Sequence, residues 1–154
     1  MNESINSLQR WTGKSKFSII FDSTVDEFSE DGLYNKVRDK QDIAIIGFTT
    51  DSFVFGGFYS VAITQQNQEF GDRNMFIFSF ESHGHCMTPQ RFVVKKWWKD
   101  EARVGFHSNN PDHRMVWFGV CTAGGFHLGN EKSNTFCTDL YHAFESIDET
   151  SLTG

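Results

Sequence analysis

The chain has 154 residues, room for one domain with a sizeable core and too little for two ordinary ones. Aromatic residues (17 Phe, 4 Trp, 3 Tyr) are abundant and only two prolines occur, which excludes disorder, collagen-like repeats and proline-rich linkers. A net charge of −6 disfavours wholesale attraction to nucleic acid or anionic membrane, and no apolar run reaches the ~18 residues of a bilayer span. The opening Met1-Asn2-Glu3-Ser4 lacks the basic flank and apolar stretch of a secretory signal, so a cytoplasmic or nuclear address is expected. Cys86, Cys121 and Cys137 are odd in number and widely spaced, the pattern of free thiols in a reducing compartment.

In chain order, residues 3–11 read as a short amphipathic helix, with Ile5, Leu8 and Trp11 about one turn apart and Gly13 closing it. Phe17–Phe21 reads as a strand. Ser29 followed by Glu30 and Asp31 is a helix start, a hydroxyl cap with acids at the positive dipole end, and this helix should run to about Lys40. From Ile43 onward the pattern changes to short β-rich segments: Ile43–Phe48, Phe53–Tyr59, Met75–Phe80, Arg91–Trp98 and Met115–Val120, separated by Gly, Asn, Asp and Ser turns. Phe136–Phe144 reads as a last strand, with helix as the rival. Met75-Phe76-Ile77-Phe78 is apolar on both faces, so it needs a sheet on one side and a helix on the other, and the 29–40 helix is the expected cover. The fold class that follows is mainly β: a two-layer antiparallel β-sandwich flanked by about two helices.

Most chemistry-bearing motifs fail on inspection. Phe21-Asp22-Ser23-Thr24-Val25 has the nucleophile aspartate of a dehalogenase-type phosphatase but Thr24 where the general acid belongs. The acidic run over 22–31 lacks the ligand alternation of a calcium loop, and neither HExxH nor GxSxG occurs. Phe55-Gly56-Gly57-Phe58 and Ala123-Gly124-Gly125-Phe126 are not phosphate cradles; glycine pairs in strands mark bulges or bare backbone on which a neighbouring ring packs. Gly56, Gly57, Phe76 and Phe78 are accordingly structural. His83-Gly84-His85-Cys86 offers imidazoles and a thiol, with His107, His113 and His127 elsewhere, but no second ligand pair at fixed spacing, so no metal is expected. Cys86 is a candidate redox thiol, since imidazoles and Arg91 would lower its pKa. Finally, Arg91–Arg103 carries +3 within a chain of −6, and Arg91, Lys95, Lys96 and Lys99 interleave with aromatics. Cations on phosphates and rings on bases suit nucleic acid; a strand with one core face and one solvated face is the competing reading.

With these residues in view, the chain resembles the TLDc domain family. Phe17 to Ser29 is similar to that family's opening strand and helix entry, Ile43 to Phe58 to its strand–turn–strand ending in an aromatic–Gly–Gly motif, and Asp72 to Phe80 to its Asp-x-x-Ala-Phe-Leu-Phe-Ser-Leu segment. Phe136 to Phe144, with Asp139-Leu140, is a fainter echo of its terminal strand. The similarity spans about residues 11–146, within one domain over 1–154, with two departures: Glu27 replaces a glycine of the helix entry, and Tyr141 stands where the last strand has an acid. The resemblance implies a helix-flanked β-sandwich, a role in resistance to oxidative stress, and binding to the vacuolar proton-pumping ATPase, without catalytic residues or cofactor. The expected function is thus a non-enzymatic protein-interaction module, with a stress-responsive DNA-binding regulator using residues 91–103 as the alternative. The polar loops 81–90 and 107–114 are the expected contact surfaces.

Overall fold

A computed structural model describes residues 2–82, 88–108, 114–129 and 136–147. Helix α1 (Asn2–Thr12) opens the chain, and Gly13, at φ +72°, ends it by donating its N–H to the Gln9 carbonyl at 2.9 Å. Helix α2 (Glu30–Val37) starts where the sequence places it: the Ser29 hydroxyl accepts from the Gly32 N–H at 3.0 Å. It stops three residues short of Lys40, because Arg38 leaves the helical region and Asp39 sits at φ 60°.

Two antiparallel sheets follow. The first holds β1 (Ile43–Phe48), β2 (Val54–Tyr59), β4 (Phe76–Glu81) and β5 (Gln90–Val93) in the order β1-β2-β4-β5. The second holds β3 (Glu69–Gly71), β6 (Ala102–Phe106), β7 (Arg114–Val120), β8 (Gly124–Gly129) and β9 (Phe136–Thr138) in the order β3-β6-β7-β8-β9. Their facing residues make the main core. Ile45, Phe55, Tyr59, Ile77 and Phe92 come from the first sheet; Val104, Phe106, Val116, Phe118, Phe126 and Leu128 come from the second. Rings interlock across the gap, Phe55 edge-on to Phe126 at 5.5 Å and Tyr59 to Phe106 at 6.0 Å.

Four expectations are corrected. Phe17–Phe21 is not a strand: it joins neither sheet, and Ile20 and Phe21 pack partly buried against the core from outside the ladders. Arg91–Trp98 is not one strand either; β5 ends at Val93, and Lys96–Glu101 winds into a 3-10 turn. Phe136–Phe144 divides between the two rival readings, β9 and then helix α3 (Leu140–Ala143). The cover over the doubly apolar strand is α1, not α2. Leu8 and Trp11 pack on the outward Phe58, Phe76 and Phe78, with Trp11 stacked on Phe80 at 6.0 Å and edge-on to Phe76 at 6.1 Å. Helix α2 instead adds Leu33, Tyr34 and Val37 to the main core, where Tyr34 meets Phe106.

Candidate functional site

The residues around the glycine pair serve the scaffold. A Cβ on Gly57 would lie 2.7 Å from the Phe118 ring of the facing sheet, and one on Gly56 would lie 1.9 Å from the Ile45 carbonyl and 2.9 Å from the Phe78 ring. Phe76 and Phe78 lie on the outer face of the first sheet, beneath α1. The acidic run is used locally. Asp22 accepts from the Thr24 N–H and hydroxyl at 2.9 and 2.7 Å, and Lys36 pairs with Asp26 at 2.7 Å. These bonds hold both carboxylates below their ordinary range.

His83, His85, Cys86 and His113 lie outside the described residues, as do 83–87 and 109–113 of the two loops expected to form the contact surface. His107 and His127 come together on the outer face of the second sheet, ring centroids 6.2 Å apart and both beside Arg114. Burial first, then the Arg114 charge, lowers the pKa of each, His127 to about 4. Among the described residues no group of three or more His, Cys, Asp or Glu is placed to hold a metal ion. Burial raises the Cys137 thiol to about 12, while burial and the neighbouring Glu69, which accepts from Cys121 Sγ at 3.1 Å, raise Cys121. Both are poor nucleophiles near neutral pH.

The structure places the four candidate nucleic-acid contacts differently from a single strand face. Arg91 lies on the outer face of the first sheet, donating to the Trp11 carbonyl at 3.2 Å with its guanidinium 5.4 Å from the centre of the Phe76 ring. Lys95 donates its ammonium to the Tyr141 carbonyl and lies 5.6 Å from the centre of the Trp97 ring. Lys96 and Lys99 stand three residues apart in the 3-10 turn, where positions i and i+3 eclipse, so they share one ridge. Trp98 turns toward the core, and Trp97 on the next ridge is 71% exposed.

Sequence reasoning missed what lies beside this turn. Val94 bridges Phe144, the Lys95 N–H donates to the Ala143 carbonyl and the Glu145 N–H to the Val93 carbonyl, both at 2.9 Å. The C-terminal segment is thereby fastened along the end of β5, which brings Tyr141, 40% exposed and ring-to-ring with His142 at 4.0 Å, next to Lys95. An exposed aromatic pair with lysines around it is therefore assembled from segments more than forty residues apart. The local signal was Tyr141 itself, standing where the family's last strand has an acid.

Among the described residues no helix is long and apolar enough to cross a membrane. No curated protein matches the sequence. The model of the TLDc domain matches residues 1–151, nearly the whole length. The chain belongs to the TLDc domain family.

Proposed function

We propose that this protein is a non-enzymatic interaction module of the oxidative-stress response, working in the cytoplasm with a subunit of the vacuolar proton-pumping ATPase as its partner. The observation that carries this reading is the family match over residues 1–151. The chemistry of the described residues is in keeping with it. The most family-like stretches, Phe55 to Phe58 and Phe76 to Phe80, build the two faces of one sheet, and Cys121 and Cys137 are held protonated. Binding a partner needs neither an activated thiol nor an oriented acid–base pair. The nucleic-acid alternative draws less support, because Arg91 and Lys95 are engaged by carbonyls and rings of their own chain.

Capture on the full chain from stressed and unstressed cells tests the proposal. Enrichment of peripheral subunits of the proton pump is the expected result, and their absence overturns the choice of partner. Protection of cells against peroxide should also survive Cys86→Ser. Loss of protection by a folded Cys86→Ser protein, or catalytic consumption of peroxide by the pure protein with a thiol reductant, replaces the interaction reading with thiol chemistry.

A further inference from the structure

We infer that the surface formed by Trp97, Tyr141, Lys96 and Lys99 is the docking site for an acidic segment of a partner protein. This rests on the protein-partner reading above and names the surface that reading leaves open. A tryptophan 71% exposed on a turn whose other indole, Trp98, packs on the core is not there for stability. Exposed Trp and Tyr beside cations are the residues that anchor protein interfaces. Lys95 has a preparatory role. Its ammonium bonds the Tyr141 main-chain carbonyl and lies over the Trp97 ring, so it ties the Tyr141 backbone to the turn that carries Trp97 before any partner arrives.

Charge identifies the occupant. Arg91–Arg103 carries +3, which leaves −9 on the rest of the chain. An acidic ligand is repelled by most of this protein and attracted here, which fixes its register. Of the cations in the segment, Arg91 and Lys95 are engaged as described, and Arg103 donates to the Asp100 and Ala102 carbonyls at 2.8 and 2.9 Å. Arg73 pairs with Asp100 at 2.8 Å, reducing the one acidic charge on the Trp97 ridge. Lys96 and Lys99 remain, on one ridge beside the indole. Two ammonium groups fit a pair of carboxylates flanking an apolar side chain laid on Trp97; a nucleic-acid strand needs a longer basic track along its phosphates.

A short fluorescein-labelled peptide of alternating glutamate and leucine is the probe, titrated into the full chain at low salt. Binding should weaken about tenfold with Trp97→Ala, and at least as much with Lys96→Glu combined with Lys99→Glu. The version with lysine in place of glutamate should not bind. Trp97 and Lys96 are exposed and Lys99 is half-buried on the same turn, so both variants should nearly keep the melting temperature of the parent; in the parent itself, the indole resonance missing from Trp97→Ala should be the one the peptide shifts. No binding, or binding indifferent to these substitutions, overturns the proposal. Equal or tighter binding of single-stranded oligothymidine assigns the surface to nucleic acid instead. Pump subunits captured equally well by Trp97→Ala overturn this surface and leave the function standing. Peptide binding at Trp97 with no pump subunit captured leaves the surface and overturns the choice of partner.

Discussion

At the level of single residues, the glycine pair shows how sequence identity becomes geometry. Gly56 and Gly57 are consecutive in β2 and so face opposite ways, Gly57 under the Phe118 ring of the facing sheet and Gly56 beside Phe78. Alanine at Gly57 meets a ring that can shift slightly, so a loss of about 1–3 kcal/mol in urea denaturation is expected. Alanine at Gly56 meets the Ile45 carbonyl at 1.9 Å, backbone that cannot yield without disturbing the β1–β2 ladder, and should cost more. That reading was available from the sequence, because a glycine pair amid aromatics has few other uses. The paired histidines were not, since His107 and His127 are adjacent only through the β6, β7 and β8 pairings. Their pKa values lie below the ordinary 6.5 in the folded state, so the unfolded chain binds protons first as pH falls. The stability they contribute is complete above about pH 6.5 and is lost as pH drops toward the His127 value of about 4. Urea midpoints measured across this window should fall more steeply for the parent than for His127→Gln; parallel slopes would contradict the assignment.

At the level of elements, the recognisable strands are those whose apolar residues outnumber what one face can hold. Ile43–Phe48 matches its sequence boundaries, and Val54–Tyr59 and Phe76–Glu81 differ from theirs by one residue. The strands not delimited from the sequence are β3, only three residues long; β6, hidden behind the basic segment; and β8, noted only as a glycine pair beside an aromatic residue. Phe17–Phe21 failed for the opposite reason: β propensity without a strand to pair with makes no ladder. Which helix covers which sheet could not be read locally, because both α1 and α2 offer apolar faces of similar size. The structure makes α1 the cover of the aromatic outer face, and Trp11, half-buried among Phe76, Phe78 and Phe80, is its anchor. Trp11→Ala should lower stability by about 2 kcal/mol, below the range for fully buried rings, and raise binding of an apolar dye as the phenylalanines open to water. Strand β1, at the edge of its sheet, lies partly outside that cover, with Phe48 77% exposed. Phe48→Lys should change stability by no more than about 0.5 kcal/mol and reduce turbidity on heating, because a charge on an edge strand opposes strand addition.

At the level of the whole molecule, the candidate surface and the core share one support. The segment from Leu140 to Ile147 places Leu140, Ala143, Phe144 and Ile147 in the main core, while the same few residues bond the backbone of Val93 and Lys95. It therefore ties the end of β5 in one sheet to a helix packed beside β8 in the other. Such a tie is invisible in a sequence read segment by segment, since its partners lie about fifty residues apart and the linking bonds are mostly main-chain. Burying Leu, Phe and Ile side chains contributes about 1.5–3 kcal/mol each, and a domain of this size has a net stability of only about 5–15 kcal/mol. Truncation after Thr138 should consequently abolish the cooperative thermal transition seen by near-ultraviolet circular dichroism. Phe144→Ala is the milder test, expected to cost about 3–5 kcal/mol and leave a folded protein. In that folded variant the Val94–Phe144 bridge is weakened, so Tyr141 loses its fixed place beside Lys95 and the acidic peptide should bind less tightly, although Phe144 itself is fully buried and touches no ligand. Unchanged peptide affinity in a measurably destabilised Phe144→Ala protein would show that the two aromatics hold their places without the tie.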